Sequence, residues 1–306
     1  MHPISQCVIS FGSNLGDRRE LVSEAAREIS KRIDLLDESG LQTSRLFETP
    51  PIGGPGGQEP FLNAVGVFQT TAPARKILEA LQEIENYLGR QRRMRWDARS
   101  IDLDVVLHGN LVGGATGLVV PHPRYTARQF VLRPACDVAS DLRDPRFGWT
   151  LGELSTFLSA DVPSLALVAG RSEIREELCY RLQSEHGIRF VTESDQQAAG
   201  DCSESFEADS TPWIAAAFDR RKLRQRFDER AKFPARFKGC PRLLVRVQQT
   251  KLSAWPAPHQ MWPGGWDWPE YRLEIDEMNW AVSELASALQ SMQCEALPVS
   301  NDGHWW

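Results

Sequence analysis

Apolar positions in the first half of the chain switch between two periods, and the switches mark the elements. Cys7 to Phe11 is a short apolar, β-branched run that stops at Gly12 and suits a strand. Leu15, Leu21, Val22, Ala25, Ala26, Ile29 and Ile33 then recur at helical spacing, which predicts a helix from about Asp17 to Ile33. Gly40 to Phe47 reads as a second strand. Thr49 to Gly57 alternates stiff Pro with permissive Gly and makes a loop. Phe61 to Gln69 is a further strand. Thr71 is placed to cap a helix from Ala72 to Leu88, with Ile77, Leu78, Leu81, Ile84 and Leu88 on one face and Gly89 ending it. Ser100 to Leu107 is another strand. Thr150-Leu151-Gly152-Glu153 has capping-box spacing, so a short helix runs to about Leu158.

The order β-α-β-β-α-β is that of a ferredoxin-like sandwich, so the expected fold of the first half is an α+β ferredoxin-like sandwich. A boundary falls near Ala160 to Pro163, dividing the chain into residues 1–160 and 161–306. Beyond it, Leu165–Ala169, Ile188–Val191, Ile214–Phe218 and Leu243–Val247 read as strands, and Glu173–His186 and Asp276–Met292 as helices, with Gly187 closing the first helix. This alternation predicts a smaller α/β layered domain. Glu193 to Asp209 is acidic and polar, and is expected to be a loop.

Composition narrows the classes. The 42% hydrophobic and 25% charged content is ordinary for a globular protein. A net charge of -6 argues against a bulk nucleic-acid binder. No run approaches the length of a membrane span, and the first twenty residues hold no apolar core of signal-peptide length. The six cysteines show no CxxC or zinc-like spacing, which suits reduced thiols in a cytoplasmic protein.

Candidate chemistry centres on Ser100 to Leu107. Alternation along a strand sends Ile101, Leu103, Val105 and Leu107 to the core and puts Asp102 and Asp104 on the opposite face, Cα atoms about 6.6 Å apart. Two carboxylates so placed repel unless cations lie between them, and magnesium is normally held by one or two carboxylates plus substrate phosphates. Alone, such a pair is more often two solvated side chains. Upstream stand Arg90, Arg92, Arg93, Arg95 and Arg99, interrupted by Trp96. Guanidinium groups match phosphate oxygens bidentately, so beside the carboxylates the cluster reads as a cradle for a polyphosphate. Pro121-His122-Pro123-Arg124, followed by Arg128 and Phe130, adds a further candidate phosphate contact.

Residues 4 to about 158 resemble the 6-hydroxymethyl-7,8-dihydropterin pyrophosphokinase family. The resemblance is carried by Arg95-Trp96-Asp97-Ala98-Arg99-Ser100-Ile101-Asp102-Leu103-Asp104-Val105-Val106. Four shorter motifs agree in order: Phe11-Gly12-Ser13-Asn14-Leu15-Gly16, Thr49-Pro50-Pro51-Ile52-Gly53, Phe61-Leu62-Asn63-Ala64 and Pro121-His122-Pro123-Arg124. The resemblance implies transfer of the diphosphate of ATP to the hydroxymethyl group of the pterin, releasing AMP, in folate biosynthesis. It implies two magnesium ions on Asp102 and Asp104, with Arg90, Arg92 and Arg99 also catalytic. Leu78, Gln82, Glu85, Arg92, Arg93, Arg95, Trp96, Val105, His122 and Arg128 would contact ATP. Thr49, Pro50, Ile52, Phe61, Asn63 and Phe130 would bind the pterin, the two phenylalanines sandwiching its ring. One departure is Asp97, an acid within the arginine loop where the family usually has Gly or Ala.

The second half carries no such signature. Leu165 to Ser172, a strand and turn leading into a helix, looks like the opening of a P-loop kinase, yet lacks G-x-x-x-x-G-K-[ST]. A degenerate kinase-like domain is the expectation, with no protein partner identified. Trp255 to Pro269, rich in Trp, Pro and Gly, reads as a plug on a core edge or a binding loop. The rival to an enzyme is a catalytically weak nucleotide-binding or regulatory protein on the same fold; nucleic-acid or membrane partners are not expected.

Overall fold

The computed structural model describes residues 3–33, 35–36, 40–90, 97–115, 117–192, 210–218, 233–234, 240–249 and 268–306. They form two compact units. One comprises the described residues up to Ser155 and again Cys294–Trp306; the other comprises those from Thr156 to Gln293. The observed division differs from the expected one at its far end, because the last residues return to the first unit.

The first unit is a mixed α/β structure on an antiparallel sheet. Its strands are β1 (Ser5–Ser13), β2 (Gln42–Thr43), β3 (Phe47–Thr49), β4 (Phe61–Thr70), β5 (Asp102–His108) and β13 (Leu297–Pro298), in the order β13-β3-β4-β1-β5, with β2 on β4. β1 lies between β4 and β5 in this row and is buried over most of its length. Helices α1 (Arg18–Arg32) and α2 (Ala74–Tyr87) supply Val22, Ala25, Ile29, Ile77, Leu81 and Ile84 to the core shared with Ile9, Phe11, Ala64, Leu103 and Val105. Asp17 caps α1, accepting from the Glu20 amide at 3.1 Å. Thr71 does not cap α2: the N-cap is Pro73, and the preceding turn is tied by Thr70 Oγ1, which accepts from the Ala72 amide.

The expected strand from Gly40 to Phe47 is broken into β2 and β3. The break is filled by other partners. Arg45 makes a paired contact with Asp137 (both N–O distances 2.9 Å), and the Leu46 amide donates to the Ser300 hydroxyl at 2.8 Å. A hairpin of β6 (Gly113–Ala115) and β7 (Leu118–Val120) follows β5, then helices α3 (Gln129–Val138) and α4 (Leu151–Ser159). The capping box of α4 forms in both directions: Glu153 N donates to Thr150 Oγ1 at 3.0 Å, and Thr150 N donates to Glu153 Oε2 at 2.8 Å.

The second unit holds a five-stranded parallel sheet in the order β12-β11-β8-β10-β9, from β8 (Ser164–Val168), β9 (Arg189–Val191), β10 (Trp213–Ala215), β11 (Leu243–Gln249) and β12 (Glu270–Ile275). Its described helices are α5 (Ser172–His186) and α6 (Met278–Met292). The α/β expectation is met by the separate parallel sheet. The turn from β8 to α5 is short, with Ala169 and Gly170 both at positive φ. Arg175 donates to the carbonyls of Ala169, Gly170 and Ala216 at 2.6 to 2.8 Å, so the turn is closed on its own helix. Of the Trp-rich segment only Trp268 and Pro269 are described: Trp268 is buried, donates to the Pro241 carbonyl and packs edge-on to Phe157. The acidic stretch 193–209 lies outside the described residues.

Candidate active site

Register decides which side chains meet. Across the sheet, Gly12 on β1 stands opposite Asn63 on β4 and Asp102 on β5, and Asn63 in turn stands opposite Phe47 on β3. Opposed residues of antiparallel strands point to the same face. The face away from α1 and α2 therefore carries Asn63, Gly12 and Asp102 in one transverse row. A Cβ on Gly12 would come within 3.3 Å of Asn63 Oδ1 and 3.9 Å of both Asp102 and Phe61. The missing side chain keeps open the space between the amide and the carboxylate.

Asp102 and Asp104 share this face, as alternation predicts, and Leu103 and Val105 are buried on the other. A bulge follows: β1 pairs Val8 with Leu107 and Ile9 with Val105, leaving Val106 as the extra residue. The Val106 carbonyl accepts from the His122 amide at 2.9 Å, which brings the His122 segment alongside the carboxylates.

Each oxygen of Asp102 has an arginine. Arg90 Nη2 lies 2.7 Å from Oδ1, and Arg99 Nη1 bonds Oδ2. Arg90 also pairs with Glu85, whose Oε1 accepts from the Leu103 amide at 2.8 Å. Glu85 thus joins α2, Arg90 and β5. Burial raises its carboxyl above the usual range, opposed by Arg90 and the Leu103 amide. Asp104 Oδ2 is 3.7 Å from His122 Nε2 and 4.0 Å from Arg128 Nη1. Burial, with Arg128 and Arg124 nearby, holds His122 well below its ordinary value, so it is neutral at physiological pH. Its Nδ1 accepts from the Arg124 amide at 3.2 Å, which leaves the proton on Nε2, facing Asp104.

On the other side of Gly12, Asn63 Nδ2 donates to Thr49 Oγ1 at 2.8 Å, and both residues are buried. Phe61 and Phe130 are half-buried, and the Arg128 guanidinium lies 5.6 Å from the Phe130 ring centre. Ile52 is half-buried and Pro50 exposed. Leu78 and Val105 lie in the hydrophobic core, while Gln82 is half-buried on α2. Asp97 folds back to accept from the Ala98 amide at 3.2 Å. Arg92, Arg93, Arg95 and Trp96 lie outside the described residues.

Two positioning residues escaped the sequence reading. Asn14 donates through Nδ2 to Gln58 Oε1 at 3.0 Å and accepts on Oδ1 from the Arg99 amide at 2.8 Å, and its own amide donates to the Arg99 carbonyl. Ser13 Oγ donates to the Ser100 carbonyl at 2.6 Å. Together they clip the end of β1 to the segment carrying Arg99. A polar Ser-Asn pair ending a buried strand before a tight Gly16 turn was the available signal.

Residues 8–140 match the family described as 7,8-dihydro-6-hydroxymethylpterin-pyrophosphokinase (HPPK). The chain is 37% identical to the 2-amino-4-hydroxy-6-hydroxymethyldihydropteridine pyrophosphokinase of Haemophilus influenzae over 134 residues, 44% of this chain and 81% of that protein. It is 39% identical to the protein of that name from Pseudomonas aeruginosa over 143 residues, 46% of this chain and 85% of the relative. The folic acid synthesis protein fol1 of Pneumocystis carinii is 38% identical over 144 residues, 47% of this chain but 19% of that longer protein.

Proposed function

The chain belongs to the 7,8-dihydro-6-hydroxymethylpterin-pyrophosphokinase family, and from that premise we propose how its residues divide the work. The activity is the pyrophosphokinase reaction of folate biosynthesis: the pterin hydroxymethyl group receives the diphosphate of ATP, and AMP leaves. The observation that carries the assignment of roles is the single row of Asn63, Gly12 and Asp102, with Asp104 on the same face.

Asp102 and Asp104 are the residues that would hold magnesium. They offer hard oxygens on one face, with side chains 22% and 36% exposed, enough for phosphate oxygens and water to complete a shell. Among the described residues no cluster of three His, Cys, Asp or Glu side chains competes as a metal site. Two ions, when bound, would neutralise the triphosphate and polarise the phosphorus under attack. Without nucleotide, Arg90 and Arg99 balance Asp102; with it, they turn to the phosphates, and Arg128 and neutral His122 lie beside Asp104 to meet further phosphate oxygens. Arg92, Arg93, Arg95 and Trp96 extend this cradle; Gln82 on α2 borders the nucleotide, whereas the buried Leu78 and Val105 back α2 and β5 from the core and Glu85 fixes Arg90.

Asn63 and the Thr49–Ile52 backbone read the polar edge of the pterin, and Phe61 and Phe130 flank its ring. The row then directs the hydroxymethyl oxygen across Gly12 toward the carboxylates. That oxygen attacks the β-phosphorus of ATP, the bond to the AMP oxygen breaks, and Asp102 is the acceptor in this cluster for the hydroxyl proton. Catalysis is positioning and charge neutralisation. The strand order supports a ferredoxin-like core for this unit, with β13 added at its edge. A cytoplasmic site of action fits the free thiols and an ATP substrate, and no helix among the described residues is long and apolar enough to cross a membrane.

Mixing the chain with ATP, magnesium and the hydroxymethyl dihydropterin tests the assignment: AMP must form in proportion to pterin consumed. ATP binding without pterin-dependent AMP would instead support a regulatory nucleotide-binding protein.

A further inference from the structure

The family match ends at residue 140, yet the last residues of the chain are built into the same unit as the site. β13 pairs antiparallel with β3, Leu297 opposite Glu48 and Pro298 opposite Phe47. The pairing continues where β3 begins: Val299 N donates to the Leu46 carbonyl at 2.8 Å, and Leu46 N donates to Ser300 Oγ at 2.8 Å. Further on, Thr43 Oγ1 donates to the Gly303 carbonyl at 2.6 Å, and Trp305 Nε1 donates to the Ser44 carbonyl at 2.7 Å. Trp305 is buried edge-on to Phe11, and its carbonyl accepts from Ser23 on α1. The segment is therefore held to both ends of the β2–β3 break and to the core beneath β1.

β3, the strand that the tail pairs with, ends at Thr49, whose hydroxyl accepts from Asn63 Nδ2 at 2.8 Å. Asn63 also stands opposite Phe47, the residue that Pro298 pairs with, and Thr49 and Asn63 are both buried.

We infer that Cys294–Trp306 is a positioning element of the pterin site, which adds a strand to β3 and fixes Thr49, and through it the Asn63 amide, in the orientation that reads the pterin. The inference rests on the assignment of Asn63 to the pterin. It makes residues far outside the family match determinants of pterin affinity in this chain, acting through Thr49 and not by touching substrate.

The test compares KM for pterin and for ATP in full-length variants. Ser300→Ala removes the hydroxyl that accepts from the Leu46 amide ahead of β3, whereas Ser300→Thr keeps a hydroxyl at the same place. Alanine is expected to raise the pterin KM about fivefold, the worth of one buried hydrogen bond. The ATP KM should stay within twofold, and threonine should keep the pterin KM within twofold of the parent. Thr43→Val, which removes the hydroxyl donated to the Gly303 carbonyl, is expected to move the pterin KM the same way and stands in if the alanine variant does not fold. Asn63→Ala is the control on the underlying assignment. If it raises the pterin KM while the Ser300 and Thr43 variants leave it unchanged, or raise both KM values equally, the positioning role is overturned and the site assignment stands. If Asn63→Ala leaves the pterin KM unchanged, the assignment fails and the inference with it.

Discussion

Gly12 shows how much one absent side chain decides. It lies between Asn63 and Asp102 in the transverse row, and a methyl group there would press on Asn63 Oδ1 at 3.3 Å. Gly12→Ala is expected to raise the pterin KM roughly fivefold by disturbing the Asn63 hydrogen bond, with little change in thermal midpoint; steady-state kinetics at saturating ATP measure it. A second residue-scale prediction concerns Cys294. Burial pushes its thiol from the ordinary 9.0 up to about 11. Between those values the unfolded chain has lost a proton that the folded chain keeps, so rising pH favours unfolding. The contribution is full below pH 9 and falls by about 1.4 kcal/mol per pH unit until about pH 11. Urea unfolding at pH 8.5, 9.5 and 10.5 should show a shallower decline in Cys294→Ser than in the parent; equal slopes would contradict the buried thiol.

Elements were legible where one face was apolar and the other wet. β1, α1, β4 and β5 were each predicted within a few residues, because Ile9, Phe11, Ile29 and Leu103 recur at clean periods. α3 was missed, since Pro134 stands inside it and breaks the usual helical signature. β12 was missed because its charged residues are buried: Glu270 and Arg272 alternate with Tyr271 and Leu273, and Arg246 of β11 lies 3.3 Å from Glu270. β13 was unreadable from local sequence, because two residues next to Val299 form a strand only through β3. The DxD pair was readable by alternation, whereas its partnership with Asn63 depends on β1 lying between β4 and β5. Trp305 makes the return of the chain energetically consequential. Trp305→Ala is expected to destabilise the first unit by about 3–5 kcal/mol, the usual cost of emptying a buried tryptophan site. Chemical denaturation followed by a probe in that unit measures it, and a loss below about 1 kcal/mol would mean the tail is only loosely docked.

At the scale of the whole molecule, the described residues complete the first unit in two passes. The chain leaves the pyrophosphokinase unit at Ser155 and returns at Cys294, so the α/β unit is an insertion between them. That connectivity bears on any attempt to isolate the catalytic part: residues 1–160 alone lack β13 and Trp305. In the α/β unit, Arg175 occupies the turn carbonyls where a phosphate-binding loop would need a longer glycine-rich run. The nucleotide site proposed above is the face of the first unit carrying Asp102 and Asp104. Its most direct test is pterin-dependent AMP release by the full-length Asp104→Ala variant, with circular dichroism and thermal unfolding as checks on the fold. The account predicts turnover reduced by roughly a thousandfold or more with the fold unchanged, as expected when a charge-neutralising group is removed from phosphoryl transfer. Turnover within tenfold of the parent would contradict it.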